Sequence, residues 1–296
     1  MAVGVITPIY NEAENLPRLL ASVRNQSLRP TCWVIVDDGS TDGSSALVES
    51  AAAETPWIRH RRRTDPTEYD IGANYARVLA VGFDELRAAH GDDLDYYMVL
   101  DGDMELTEGY IESVTAALDA TDDLVIGCGP VYTRRADGLD FEDRADKHPF
   151  GGATVYDGEF YRAIGGPPLT PCVDSVTKAR ARLRGARPRY FKDLDVKAIQ
   201  SRPAHENGDT LSNARNLGVN NYKIGYPPLA ALAKGSDLMQ TSSFREGLAY
   251  LRGYGSVWAR RAPRVADDDV VRYYYREKHR DVAAWSYHRL KRLLSA

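Results

Sequence analysis

The chain has 296 residues, of which 43% are hydrophobic and 27% charged, so it can bury a sizeable core. Its formal net charge of −4 gives no electrostatic case for binding nucleic acid. The three cysteines, Cys32, Cys128 and Cys172, form no Cys-x-x-Cys pair and indicate neither a zinc site nor a disulfide framework. No apolar run approaches the ~20 residues that cross a bilayer, and the first residues, MAVGVITPIY, do not have the form of a signal peptide. We expect a cytoplasmic protein, with peripheral contact at the inner face of the membrane left open.

Short apolar runs alternate with helical patterns through the first 130 residues. Strands are predicted at Val3–Thr7, Trp33–Val36, Trp57–Arg61, Tyr96–Leu100 and Leu124–Gly127. Apolar residues at helical spacing lie between them, as in the run from Leu16 to Val23. This alternation predicts an α/β fold with an open, mostly parallel, twisted sheet flanked by helices.

The pattern loosens after about residue 135. Thr133–His148 is charged and poor in apolar residues, which predicts a loop crossing the surface. A short strand is expected to begin at Gly151, helices at Gly158–Ile164 and Val173–Leu183, and a last strand at Val196–Ile199. The remainder is helical and rich in tyrosine, so two regions are predicted, 1–210 and 211–296.

Polar clusters follow three of the predicted strands. They are Pro8–Glu12, the pair Asp37 and Asp38, and Asp101-Gly102-Asp103. Ligands of an open parallel sheet bind at the carboxyl ends of its strands, where gathered carboxylates favour a cation and a hydroxyl-rich ligand. Each cluster taken alone also fits a polar turn or a helix cap. The combination, in this order, favours a binding site.

The same segments carry a family resemblance. VGVITPIYNEAENLPRLLASV and WVIVDDGSTDGS resemble the start of family-2 glycosyltransferases, which have the GT-A fold. The stretch from Asp70 to Arg77 is similar to that family's N-x-G-x-x-x-A-R-N, with Asp70 for the first Asn and Val78 for the last. Leu100–Asp103 matches its LDxD element. The resemblance extends from residue 3 to about 185 and is most specific over the first 105.

The resemblance implies a nucleotide-sugar site. It assigns to the nucleotide sugar Pro8, Tyr10, Asn11, Glu12, Asp38, Asp101 and Gly102. Carboxylates suit this role because they accept hydrogen bonds from a nucleobase N–H and from ribose hydroxyls. Arg77 is expected to face the diphosphate or the base, and a solvated helix arginine is the alternative.

A divalent metal, Mn²⁺ or Mg²⁺, is also implied by the resemblance. Asp103 is expected to bind it directly, with Asp101 on the ribose or in the water shell of the metal. His205 completes the metal site if it follows the pattern of many GT-A enzymes, and the alternative is an ordinary surface or core histidine. The cation would bridge the two donor phosphates and stabilise the leaving nucleoside diphosphate as a Lewis acid.

An inverting transfer needs a carboxylate that removes the proton of the acceptor hydroxyl. The family places this base at a helix start, and Asp174 fits that position, although Val173 replaces the usual Glu. The alternative for Asp174 is a helix cap. Asp193 and Asp195 are rivals that come late for the pattern.

The acceptor is expected to be a saccharide or a lipid-linked molecule. The Q-x-x-R-W motif and membrane helices of the processive family members are missing from the sequence, which favours one sugar per encounter. Tyrosines with basic residues, in 221–228, at 253–254 and from Trp285 to Arg292, suit a membrane interface. A helical subdomain packed on the sheet, or a homodimer contact, is the alternative for this region.

The predicted activity is therefore a non-processive glycosyltransferase that uses a UDP-sugar in polysaccharide, glycolipid or protein-glycan synthesis. No G-x-G-x-x-G loop follows the first strand, which excludes a nucleotide-binding dehydrogenase. A sugar-phosphate nucleotidylyltransferase and a non-catalytic nucleotide-sugar-binding protein remain as alternatives.

Overall fold

The computed structural model describes residues 1–63, 71–201, 210–265 and 267–280, with the backbone alone for 71–73. The chain divides into two compact units, residues 1–203 and 204–296. The sequence pattern had predicted the change of architecture at 210/211, seven residues later.

The first unit contains eleven strands and six helices among its described residues. In chain order they are β1 (Val3–Ile9), α1 (Leu16–Arg24), β2 (Cys32–Asp37), α2 (Ser44–Glu54), β3 (Ile58–Arg62), α3 (Ile71–His90), β4 (Tyr96–Leu100), β5 (Met104–Leu106), α4 (Tyr110–Asp119), β6 (Leu124–Cys128), β7 (Val131–Arg135), β8 (Gly138–Phe141), β9 (Ala153–Asp157), α5 (Gly158–Ala163), α6 (Val173–Leu183), β10 (Arg187–Tyr190) and β11 (Ala198–Gln200).

Seven strands form the central sheet in the order β3-β2-β1-β4-β9-β6-β10. All are parallel except β9, which runs antiparallel to β4 and β6. From β1 the strand order proceeds outward in both directions, to β2 and β3 on one side and to β4 on the other. The predicted mostly parallel sheet with flanking helices is confirmed, and β1 lies at its topological switch point.

The core consists of two apolar layers, one on each face of the sheet. One contains α1, α2 and α4, where Leu16, Leu19 and Val23 are fully buried, as the helical spacing predicted. The other contains α3, α5 and α6, with Phe83 and Tyr161 in ring contact. A sheet covered on both faces leaves its strand ends as the natural place for a ligand.

The prediction of a loop at Thr133–His148 is wrong in part. The segment contains the end of β7 and all of β8, which form an antiparallel hairpin. This hairpin belongs to a second sheet, in the order β5-β11-β7-β8. All four residues of β8 are exposed, so no alternation of apolar and polar residues marks it in the sequence.

The second unit is helical where it is described. It contains α7 (Thr210–Lys223), α8 (Pro228–Thr241) and α9 (Phe244–Ala259), and residues 268–280 are helical as well. Tyr222, Tyr250 and Tyr254 are buried in its core, so these tyrosines serve packing. The segment from Trp285 to Arg292 lies outside the described residues. None of the described helices is long and apolar enough to span a membrane.

Candidate active site at the strand ends

The three polar clusters lie at one edge of the sheet, as predicted. β1 and β2 are in register through Ile9 and Asp37, and β4 ends at Leu100 beside β1. The polar loops that follow these strands are therefore neighbours in space. Tyr10, in the Pro8–Glu12 loop, is 51% exposed, so its ring is open to solvent at this edge.

The Pro8–Glu12 loop is tied to the loop that follows β2. Asn11 has a left-handed backbone with φ of 54°, which asparagine tolerates better than most residues. Its N–H donates to Ser40 Oγ at 2.9 Å, and its Oδ1 accepts from the N–H of Thr41 at 2.8 Å. The N–H of Glu12 donates to Ser44 Oγ at 2.8 Å. These bonds hold the two loops as one surface.

Asp37 and Asp38 have different surroundings. Asp37 is fully buried and accepts hydrogen bonds from the N–H of Ser40 and the hydroxyl of Ser45. Burial raises its pKa, but these hydrogen bonds outweigh it and leave the pKa below the ordinary value. Asp37 therefore anchors the loop, whereas the carboxylate of Asp38 has a different set of partners.

The Asp38 side chain is held by two residues that the sequence reasoning did not identify. Arg63 Nη1 donates to Asp38 Oδ1 at 2.5 Å and to Asn74 Oδ1 at 2.9 Å. The amide of Asn74 donates in turn to Asp38 Oδ2. The three side chains form a closed triangle, which we name the Asp38 clamp.

Asp101-Gly102-Asp103 follows β4 directly. The N–H of Asp101 donates to the carbonyl of Gly152 at 2.9 Å, and Tyr75 Oη donates to Asp101 Oδ1 at 3.0 Å. A Cβ at position 102 would lie 3.0 Å from Glu12 Cγ and 3.3 Å from the carbonyl oxygen of Pro8. Gly102 therefore lets the tripeptide approach the Pro8–Glu12 loop closely.

Burial and neighbouring carboxylates raise the pKa of Asp101 to about 7. After burial, the largest contribution comes from Asp103, and Asp174 and Glu12 act in the same direction, while the hydrogen bond from Tyr75 opposes them. Four acidic side chains therefore form one partly buried cluster: Asp101, Asp103, Asp174 and Glu12. Their mutual repulsion is costly unless a cation is present to offset it.

Two adjacent glycines, Gly151 and Gly152, lie against Asp174 and Asp101 respectively. A Cβ on Gly151 would lie 1.9 Å from Asp174 Oδ2, and one on Gly152 would lie 2.7 Å from Asp101 Oδ2. The charge of Asp174 also raises the pKa of Asp101 and that of Tyr75, which donates to Asp101, so Asp174 acts on the same place as the other carboxylates. Cys172 is the N-cap residue of α6, and Asp174 lies in the first turn of that helix. Its rivals Asp193 and Asp195 are exposed between β10 and β11.

Lys178 lies one turn after Asp174 and was also not identified from the sequence. Its Nζ donates to the carbonyl of Pro149 at 2.6 Å, which ties α6 to the loop that carries the two glycines. Burial lowers the pKa of Lys178, and the charge of Asp174 opposes this shift. No signal in the sequence separates a half-buried helix lysine such as Lys178 from an exposed one.

For two predicted site residues, Arg77 and His205, no described contact places the side chain beside the acidic cluster. Arg77 is exposed on α3. His205 lies outside the described residues, although Ser201, four positions earlier, donates its N–H to the carbonyl of Asp103 at 2.9 Å. Where the chain is described, no three His, Cys, Asp or Glu side chains are placed to hold a metal ion by themselves.

The donor set nevertheless fits a divalent cation that is shared with a ligand. Mg²⁺, and Mn²⁺ by the same oxygen chemistry, is usually held by one or two carboxylates together with substrate phosphates. Asp101 and Asp103 supply two such carboxylates, and the raised pKa of Asp101 shows that negative charge accumulates there. These two residues would hold the ion.

Solved structures with the same architecture are glycosyltransferases of the GT-A fold. A mannosyltransferase from Pyrobaculum calidifontis, in complex with GDP-Man and Mn²⁺, is similar with a TM-score of 0.54 at 17% identity, over 87% of this chain and 74% of that one. Residues 1–349 of TarS from S. aureus, in complex with UDP, give 0.54 at 12% identity, over 88% and 92% of the two chains. The fold of the chain is therefore GT-A.

A family match covers almost half of the chain. Residues 4–148 match the model of glycosyl transferase family 2. The undecaprenyl-phosphate 4-deoxy-4-formamido-L-arabinose transferase of Pseudomonas fluorescens (strain SBW25) is 32% identical over 108 residues, 35% of this chain and 28% of that protein. The polyprenol monophosphomannose synthase of Mycolicibacterium smegmatis is 32% identical over 127 residues, 42% and 43% of the two chains. The chain thus matches less than half of either relative.

Proposed function

We propose that the protein transfers one sugar per encounter from a nucleotide-sugar donor to an acceptor hydroxyl, with inversion at the anomeric carbon. The observation that carries the proposal is the meeting of Asp101, Asp103 and Asp174 at the switch point of a GT-A sheet. A donor diphosphate with its cation offsets the first two charges. The third carboxylate is left to act on the acceptor.

The donor is proposed to lie along the edge formed by β1, β2 and β4. Asp38 and the Pro8–Glu12 loop would bind the nucleoside, and Asp101 and Asp103 would bind Mn²⁺ or Mg²⁺. When bound, the cation acts as a Lewis acid on the leaving diphosphate. UDP is the nucleotide we favour, and similar structures have been solved with UDP and with GDP-Man.

The acceptor is proposed to be a hydroxyl of a saccharide or of a lipid-linked saccharide. The names of several relatives refer instead to undecaprenyl phosphate or polyprenol, which makes a lipid phosphate the second candidate. A phosphate monoester is largely ionised at neutral pH and needs no base, whereas a hydroxyl must lose its proton as it attacks. The position of Asp174 beside the donor site favours the hydroxyl.

Release of nucleoside diphosphate from a panel of UDP-, GDP- and dTDP-sugars, with and without Mn²⁺, tests the proposal. Asp103→Ala is expected to lose Mn²⁺-dependent donor binding. Asp174→Asn is expected to bind donor normally but to transfer to a hydroxyl at least about 100-fold more slowly, because the base is missing. Asp193→Asn, at an exposed rival position, is the control and should behave as wild type.

Three outcomes would change the assignment. Transfer by Asp174→Asn at the wild-type rate to a hydroxyl acceptor would remove Asp174 as the base. Transfer to a lipid phosphate alone, undisturbed in Asp174→Asn, would establish the second candidate. Donor binding without any transfer would point to a non-catalytic binding protein.

A further inference from the structure

Two members of the Asp38 clamp, Arg63 and Asn74, have no assigned role in the sequence pattern that identified the site. Its three members come from three places, since Asp38 follows β2, Arg63 follows β3 and Asn74 lies in α3. The N–H of Asp38 donates to the carbonyl of Ile9 at 2.9 Å, and the N–H of Arg63 donates to the carbonyl of Asp37 at 2.8 Å. The backbone on both sides of the clamp is therefore fixed by the parallel strands.

The side chains of the clamp are almost enclosed. Those of Arg63 and Asp38 are only 13% and 12% exposed. Each carboxylate oxygen of Asp38 already accepts one hydrogen bond, from Arg63 or from Asn74. A carboxylate offers about four acceptor sites, so about two remain for a ligand, and their direction is set by the clamp. A group bound there must donate hydrogen bonds.

The guanidinium group of Arg63 donates hydrogen bonds to both other members of the Asp38 clamp. One of its nitrogens, Nη1, serves both Asp38 and Asn74. Its neighbours on β3, Arg59 and Arg61, pair instead with Glu85 on α3. Among these three arginines, Arg63 alone is tied to the carboxylate of the donor edge.

We propose that Arg63 and Asn74 are positioning residues that fix Asp38 as the hydrogen-bond acceptor for the nucleoside part of the donor, its ribose hydroxyls or a base N–H. They act through Asp38 and do not touch the diphosphate. The clamp thereby sets donor affinity and the choice of nucleoside, while the chemical step is left to Asp103 and Asp174. This inference rests on the proposed function.

Binding of UDP, GDP and inorganic pyrophosphate, each with Mn²⁺, to the full chain separates the roles. Arg63→Gln removes the charge, and it is expected to weaken binding of the nucleoside diphosphates about tenfold or more, since hydrogen bonds to charged groups are the strong ones. Pyrophosphate has no nucleoside, so its affinity should stay within about twofold of wild type. Asn74→Ala should show the same pattern to a smaller degree.

Two further variants sharpen the test. Arg63→Lys keeps the charge and several N–H donors, and it should recover most of the lost affinity. Arg61→Gln, two positions away and paired with Glu85, is the matched control and should bind all three ligands normally. With a turnover assay, Arg63→Gln should raise the donor KM and leave kcat within about threefold.

The outcomes distinguish the clamp from the proposed function. Equal loss of pyrophosphate and nucleotide binding in Arg63→Gln would show that Arg63 meets the phosphates or supports the fold, and would overturn the inference. Wild-type nucleotide affinity in Arg63→Gln would overturn it as well. Failure of the wild-type protein to bind any nucleotide with Mn²⁺ would instead contradict the proposed function.

Discussion

At the scale of single residues, the raised pKa of Asp101 makes the free energy of unfolding depend on pH. Its pKa is raised to about 7 in the folded protein, against an ordinary carboxyl value near 3.8. Between these two values the folded state holds a proton that the unfolded state has lost. The stability of the metal-free protein should therefore fall as pH rises from about 4 to about 7, on the order of 2 to 4 kcal/mol.

Asp101→Asn isolates this effect because an amide does not titrate. In EDTA the variant should match wild type near pH 4 and exceed it at pH 8, as measured by urea unfolding. Added Mn²⁺ should reverse the order at pH 8, since the ion is proposed to bind the carboxylate and would stabilise the folded wild type. Parallel pH curves for the two proteins would show that Asp101 does not carry the accumulated charge.

Single residues also show where the sequence stops being informative. Asp38, Asp101, Asp103 and Asp174 are predicted as site residues because strand ends and family motifs mark them. The partners of Asp38 lie 25 and 36 positions away along the chain. An arginine among Arg59–Arg63 and an asparagine in a helix carry no local signal of such a contact, because only the packing of β3 and α3 against β2 creates it.

At the scale of elements, the packing of α7 against α9 depends on glycine. A Cβ on Gly253 would lie 2.0 Å from the carbonyl oxygen of Arg215, and one on Gly218 would lie 2.1 Å from that of Tyr250. Gly255, two positions along α9, has no atom within 4 Å of such a Cβ. Gly253 and Gly255, both in α9, therefore serve as a matched pair.

Gly253→Ala should force the two helices apart and destabilise the protein by about 2 kcal/mol or more, the scale of an overpacked core. Gly255→Ala should be neutral or stabilising by up to about 1 kcal/mol, because alanine is the better helix former. Thermal and urea unfolding measure both. Equal effects of the two substitutions would contradict the close crossing of α7 and α9.

Longer elements with buried faces were predicted well, whereas exposed or very short ones were not. The strongly apolar strands β1, β2 and β4 and the helix α1 are where their spacing placed them. The hairpin of β7 and β8 was missed because β8 has no buried face. The short β10 buries Pro188 and Tyr190, but its four residues, RPRY, are too few and too basic to show a strand pattern. Strands held mainly by backbone pairing leave little trace in side-chain periodicity.

At the scale of the whole molecule, charge is divided unevenly. Residues 1–203 contain 23 basic and 33 acidic residues, a net charge of −10, and residues 204–296 contain 15 and 9, a net charge of +6. The overall value of −4 hides this difference. Such asymmetry favours contact of the basic part with an anionic surface.

The second unit also exposes large apolar side chains. Leu229 and Leu232, at the start of α8, are 57% and 56% exposed, and Trp258, at the end of α9, is 53% exposed. A Cβ on Gly247 would lie 2.9 Å from the backbone nitrogen of Met239, and one on Gly235 would lie 2.6 Å from Leu251 Cγ. These two contacts run in opposite order along α8 and α9, so the helices are antiparallel and the three exposed residues share one end of the pair.

We expect the full chain to sediment with vesicles that contain phosphatidylglycerol and to bind phosphatidylcholine vesicles much more weakly, and we expect high salt to weaken the binding. Replacing Leu229 and Leu232 together by Ser should lower vesicle affinity about tenfold or more, because two inserted side chains are lost. Leu169→Ser is the control, since Leu169 is 68% exposed in the other unit. Equal binding to both vesicles, or an equal loss in the control, would contradict a membrane contact through this end of α8. A change in oligomeric state without vesicle binding would assign the same side chains to a second copy of the chain.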